Sequence, residues 1–166
     1  LLKKDKDVEF HLVVIGSHFD KKRGYSIKEI VRSNIKISKK LKIELRKFSP
    51  NAISNYTSET IKGVSKIISV LKPHIILLLG DRYETFAVAT ASLIHNIPLA
   101  HLHGGEVTAG VIDEPLRHSI TKMSDIHFTA NKLFKSRIKK MGENKKNIYN
   151  VGSLTAENIK EMKFYK

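Results

Sequence analysis

A chain of 166 residues with 41% apolar content is long enough to bury a core and too hydrophobic for a disordered segment. It contains no cysteine, which removes disulfide and thiolate chemistry and fits a reducing, cytoplasmic setting. Thirty basic residues against 16 acidic ones give a net charge of +14, but the lysines are spread along the chain and no aromatic residues interleave with them as a base-stacking surface requires, so nucleic acid is not an expected partner. No apolar run approaches the roughly 20 residues that cross a bilayer, and no membrane is expected either.

The opening LLKKDKDVEF reads as the last turn of a helix. Residues 8–15 (VEFHLVVI) form a β-type run closed by Gly16, and residues 26–33 suit a short helix with Ser26 as its N-cap. Residues 36–48 are basic and weakly patterned, and the alternation of Ile43, Leu45 and Lys47 there predicts a short strand that Pro50 ends. From 54 to 71, Ile61, Val64, Ile68 and Leu71 recur at helical spacing until Pro73. The continuous run IILLL at 75–79 predicts a strand buried on both faces. A helix follows over 83–96, with Tyr83, Ala87, Ala91 and Ile94 on one stripe. Strands are predicted at 98–102, 126–129 and 148–151. Helices are predicted at 114–123, opened by Asp113 and Pro115, at 131–141, closed by Gly142, and from 155 to 162.

Strands alternating with helices of this length predict βαβ units and a Rossmann-like, doubly wound, mostly parallel sheet. Ligands in such folds sit beyond the carboxyl ends of the strands. Those ends carry residues 16–18, 80–82, 103–106, 129–131 and 152–153, and all five are expected on one rim.

The polar groups concentrate between 79 and 121, at three breaks: GDR (80–82), HLHGGE (101–106) and IDEPLRH (112–118). Asp81, just after Gly80, either caps the next helix or does chemistry. Arg82 suits a phosphate or a carboxylate. His101 and His103 alternate and are expected on one face. With Glu106 and Asp113 they fall short of a convergent metal-ligand set, and hydrogen bonding to a sugar or phosphate fits them better. Gly104 and Gly105 permit close backbone approach to a ligand. Asp113 with Arg117, and Glu114 with His118, are spaced i,i+4, as surface ion pairs or as an acid–imidazole set aimed at the rim. Crowded carboxylates of this kind suit proton transfer near neutral pH. There is no P-loop, no GxSxG and no complete GxGxxG.

The stretch LGDRYETFAVATASLIHNIPLAHLHGGEVTAGVIDEPLRHSITKMSDIHF, with GSHFDKKRGYSIKEI before it and NVGSLTAENI after it, closely resembles the hydrolysing UDP-N-acetylglucosamine 2-epimerases of sialic-acid and related nonulosonic-acid synthesis. The resemblance implies a glycosyltransferase-B-like enzyme of two Rossmann-like domains, of which residues 1–151 correspond to the first, without its opening strand and GSRAEYG-like loop. Residues 152–166 begin the crossover to a second domain that lies outside this sequence. It further implies elimination of UDP across C1–C2, hydration of the glycal to give ManNAc, a homodimer, a UDP-sugar substrate, and no metal or redox cofactor. Matched by motif, Asp81, Glu106, Asp113 and Glu114 are the acid–base candidates. Arg82, His101, His103, Gly104, Gly105, Arg117, His118 and Ser153 are the substrate-binding candidates. His103 stands where some relatives carry glutamate. The alternatives left open are a UDP-2,4-diacetamido-2,4,6-trideoxyhexose substrate and a non-hydrolysing epimerase.

Overall fold

The structure, a computed structural model, describes residues 2, 5–154 and 156. The chain forms two compact units, residues 1–67 and 68–166, which divide within one long helix.

In the first unit β1 (Leu12–Ile15) runs parallel to β2 (Ile37–Leu41), with α1 (Ile27–Arg32) between them and α2 (Pro50–Leu71) after. The β2 ladder lies earlier than the Ile43–Lys47 alternation predicts. β1 offers four residues of edge, and the register from Leu12 with Ile37 to Ile15 with Leu41 uses them all. Of the run predicted over 8–15 only Leu12–Ile15 is strand, and Val8 lies before it, exposed. Ser26 does not cap α1 with its side chain; its hydroxyl instead meets His18 Nδ1 at 2.8 Å. Pro50 begins α2 rather than ending a strand, because its fixed φ and missing N–H suit a first helical turn. Ser49 precedes it as the cap, its hydroxyl accepting from the Ala52 N–H. Gly63 lets α2 approach the strand: a Cβ there would lie 2.5 Å from Leu41 Cδ1.

The second unit is a four-stranded parallel sheet in the order β3 (Ile76–Leu79), β4 (Leu99–Leu102), β5 (Ile126–Thr129), β6 (Ile148–Asn150). The connecting helices are α3 (Tyr83–Ile94), α4 (Asp113–Lys122) and α5 (Lys132–Lys140). Leu99, Ala89 of α3 and Ile120 of α4 form the enclosed centre, with Ile76, Leu78, Phe86 and Met123 packed on it. Burying Leu99 and Ile120 stabilises the unit by about 1.5–3 kcal/mol each. β3 is the edge strand, and only its Ile76 and Leu78 face reaches this centre. Leu77 and Leu79 are exposed, so the continuous apolar run is not buried on both faces. On α3 the stripe holds at Tyr83, Ala87 and Ala91 but not at Ile94, which ends the helix 70% exposed. Asn131 caps α5, accepting from the Phe134 N–H at 2.9 Å, and Gly142 follows the helix at φ 92°. The helix expected over 155–162 lies outside the described residues apart from Ala156, and so do residues 1, 3 and 4 of the opening turn. Among the described residues no helix is long and apolar enough to cross a membrane.

Candidate functional site

Three elements of the second unit bring polar groups to one place. β3 ends at Leu79, and the φ of 95° at Gly80 turns the chain so that Asp81 leaves the strand direction before α3 begins. β4 ends at Leu102, and His103 takes φ 64°, a left-handed conformation that costs a non-glycine residue about 1–2 kcal/mol. Its N–H remains bonded to the Phe128 carbonyl at 2.9 Å, which holds the turned residue on the sheet. α4 supplies Arg117 one turn in from its start. Asp81, His103, Glu106 and Arg117 line a cleft of about 430 Å³, with Gly80 at its base and Leu79 and Leu154 as apolar flanks.

The pairing differs from the i,i+4 reading of the helix. Arg117 is buried and turns to Asp81, not Asp113, its Nη2 donating to the Asp81 carboxylate and to Thr108 Oγ1 at 2.9 Å. Asp81 therefore does not cap α3; Arg82 occupies that position. Arg117 Nη1 lies 3.6 Å from Glu114 Oε2, an ion-pair contact too long for a hydrogen bond. Burial pushes the Arg117 pKa down, yet a guanidinium remains charged in proteins. His103 Nδ1 meets Glu106 Oε1 at 2.7 Å. Glu114 meets His118 Nε2 at 3.2 Å and accepts from the Thr108 N–H, fastening the 107–112 loop to α4. The carboxylates are thus interleaved with basic groups rather than crowded on one another.

The structure brings Asp81, Glu106, His103 and Arg117 together; the remaining candidates sit around them. Asp113 opens α4 near Arg82 and is not part of the cleft lining. Arg82 is held by Glu84 at 3.3 Å and the Tyr83 hydroxyl at 2.7 Å. Burial opposes its charge, but Glu84, Tyr83 and Asp113 outweigh that and raise its pKa. His101 does not share a face with His103. It is fully enclosed, with Nε2 2.9 Å from the Gly80 carbonyl and Nδ1 3.3 Å from Thr121 Oγ1. Burial holds its pKa down at about 4, a neutral imidazole. Gly104 and Gly105 make their close approach to the protein's own α5 and α4: a Cβ on Gly105 would lie 2.7 Å from the Phe134 carbonyl oxygen, one on Gly104 3.1 Å from Thr121 Oγ1. Ser153 is half-buried beside Leu154 and does not line the cleft. At the end of β5, Asn131 is occupied in capping α5, so that strand end contributes no group to the cleft. Among the described residues no three His, Asp or Glu side chains converge as a metal site.

Sequence reasoning did not find Thr108, Thr121 or Arg137. Arg137 Nη1 donates to the Gly105 carbonyl at 2.5 Å and holds the glycine turn from α5. An arginine set among the lysines of KLFKSRIKK was its one signal, since a planar fork suits a fixed acceptor. The two threonines carry no pattern that separates them from ordinary helix and loop threonines.

Parallel strands with helical crossovers, and a polar cleft at the strand ends, define a Rossmann-like half of the glycosyltransferase-B architecture. A solved S. aureus MnaA–UDP structure superposes with a TM-score of 0.82 over 99% of this chain and 43% of its own, at 23% identity, which establishes the fold. The chain belongs to the UDP-N-acetylglucosamine 2-epimerase family, whose sequence model matches residues 1–165. A Campylobacter jejuni relative, named a GDP/UDP-N,N'-diacetylbacillosamine 2-epimerase (hydrolyzing), is 39% identical over 98% of the chain and 42% of its own length. The Escherichia coli polysialic acid biosynthesis protein P7 is also 39% identical, over 95% of the chain and 40% of its own length. The chain thus spans about two fifths of the curated relatives it matches.

Proposed function

We propose that this chain forms one wall of the active site of a hydrolysing UDP-sugar 2-epimerase, which converts UDP-GlcNAc and water to ManNAc and UDP. The carrying observation is the convergence of two differently partnered carboxylates, Asp81 with Arg117 and Glu106 with His103, on one cleft at the strand ends. The reaction needs such a division. Elimination removes the C2 proton and the anomeric C–O bond, releasing UDP; hydration delivers hydroxide to C1 and a proton to C2 on the opposite face. Carboxylates in distinct environments can divide proton removal and delivery between them. Glu106, bonded to an imidazole able to take up or give back a proton, fits proton transfer. Asp81, fastened to Arg117, supplies a second carboxylate in a different environment. Asp113 and Glu114, at the start of α4 and outside the cleft lining, are the further acid–base candidates. The enzyme works in the cytoplasm as a homodimer.

A second reading has a specific observation in its favour. The Campylobacter relative's name points to a UDP-2,4-diacetamido-2,4,6-trideoxyhexose substrate for the same chemistry. Incubating the full-length gene product with each sugar nucleotide in D₂O decides between them. The expected result is free UDP plus a mannose-configured sugar carrying one deuterium at C2, from one substrate in preference to the other. Recovery of UDP-ManNAc would assign the non-hydrolysing reaction, and no UDP release from either substrate would refute the proposal.

A further inference from the structure

We propose that His101 is a positioning residue, an enclosed imidazole bridge that sets the Asp81–Arg117 pair from behind without touching substrate. This rests on the epimerase reading for its turnover test but not for its geometry. The Gly80 carbonyl can only accept, so the ring proton sits on Nε2 and donates to it at 2.9 Å. Gly80 is the residue before Asp81, and its φ of 95° makes that peptide's orientation a matter of external restraint. On the other side of the ring Nδ1 faces Thr121 Oγ1 at 3.3 Å. The one proton of that hydroxyl goes to the Arg117 carbonyl at 2.9 Å, one turn back along α4, so Nδ1 packs against the hydroxyl oxygen without a hydrogen bond. One rigid ring therefore stands between the backbone that carries Asp81, which it holds by a hydrogen bond, and the helical turn that carries Arg117, which it meets by packing.

The surroundings are built for this bridge. His101 is 0% exposed and lies within β4 opposite His127 of β5, so the ring is held by the sheet and not by a loop. Gly104 leaves it room: a Cβ there would stand 3.0 Å from His101 Nδ1 and 3.1 Å from Thr121 Oγ1. The lowered pKa keeps the ring in its one-proton form, with that proton given to Gly80.

The test compares His101→Gln with His101→Asn in the full-length gene product. A glutamine amide nitrogen can occupy the Nε2 position and donate to Gly80; asparagine reaches only the Nδ1 side. His101→Gln is expected to keep kcat for UDP release near wild type. His101→Asn is expected to lower it about 10- to 100-fold with KM little changed, since a displaced but intact group loses turnover more than binding. Their thermal midpoints are expected to match, because each replaces a buried ring with an amide. Protection of the Arg117 guanidinium protons from exchange, read by NMR, is expected to survive in the glutamine variant and fall in the asparagine variant, and this readout is independent of turnover. Absence of UDP release by the wild-type protein would refute the epimerase reading while the exchange readout still decides the bridge. Equal Arg117 protection in the two variants, or kcat that tracks the thermal midpoint, would overturn it. Should His101→Asn not fold, His101→Met, which fills the space but donates to neither neighbour, carries the test, and Arg117 protection equal to that of the glutamine variant would overturn the proposal.

Discussion

Gly105→Ala isolates the packing of the HGGE turn. Gly105 has φ 76°, and an added Cβ would lie 2.7 Å from the Phe134 carbonyl oxygen and 2.8 Å from Ile138 Cγ1. The first obstacle is backbone within α5, and Ile138 is fully buried, so neither gives way cheaply. The left-handed conformation costs alanine about 1–2 kcal/mol, and forcing a methyl into a filled space costs about 1–3 kcal/mol more. Gly142→Ala is the internal control. It has φ 92° and nothing within 4 Å of its added Cβ, so it pays for conformation alone. The difference between the variants is thus the overpacking cost, which corresponds to roughly 3–9 °C at about 3 °C per kcal/mol for a protein of this size. Thermal unfolding by circular dichroism reads it. Turnover is expected to fall in Gly105→Ala and not in Gly142→Ala, because the displaced turn carries Glu106. Equal destabilisation of the two variants would show that α5 does not back the turn and would refute the reasoning.

Two further outcomes follow from the charged groups. Arg117→Lys keeps the charge but cannot span Asp81 and Thr108 while staying near Glu114, so it should lose about 1.5–3 kcal/mol of stability and most UDP release; wild-type kcat and KM would refute the assigned pairing. His101 has its folded pKa depressed to about 4 from an ordinary 6.5. Between those values the unfolded state holds the extra proton, so the contribution is complete above about pH 6.5 and is lost as pH falls toward about 4. A total of about 3 kcal/mol follows from 1.36 kcal/mol per pH unit, and wild-type denaturation midpoints should fall more steeply than those of His101→Gln across that window. Parallel curves would show that the ring is not held neutral.

The order of strands and helices was legible because local pattern and tertiary role agree in the second unit: Pro98, Pro115 and Gly142 punctuate the sequence where the sheet and helices change. Where they parted, an edge or a neighbour decided. Ile43, Leu45 and Lys47 alternate like a strand, but the four-residue β1 leaves no edge for them. Leu77 and Leu79 read as core and lie exposed, because only the Ile76 and Leu78 face of β3 packs on the core. The motifs also located the site's neighbourhood. They could not choose partners within it, because spacing along α4 offers Asp113 to Arg117 while the fold offers Asp81, 36 residues away.

That choice explains why the two histidines of HLH, alike in sequence, differ in consequence. The strand ends between them. His101 is still within the ladder, so its ring is enclosed, with Nε2 spent on Gly80 and Nδ1 packed against Thr121. His103 is one residue past the ladder with φ reversed, so its ring swings out to Glu106 and the cleft. Period-two reasoning assumes an unbroken strand, and a sign change in one φ angle cancels it. The same reversal brings Gly104 and Gly105 against the helices, where a side chain would not fit. The glycines are therefore required first by the turn that separates the two histidines, and whatever donors they offer a ligand depend on that turn being made.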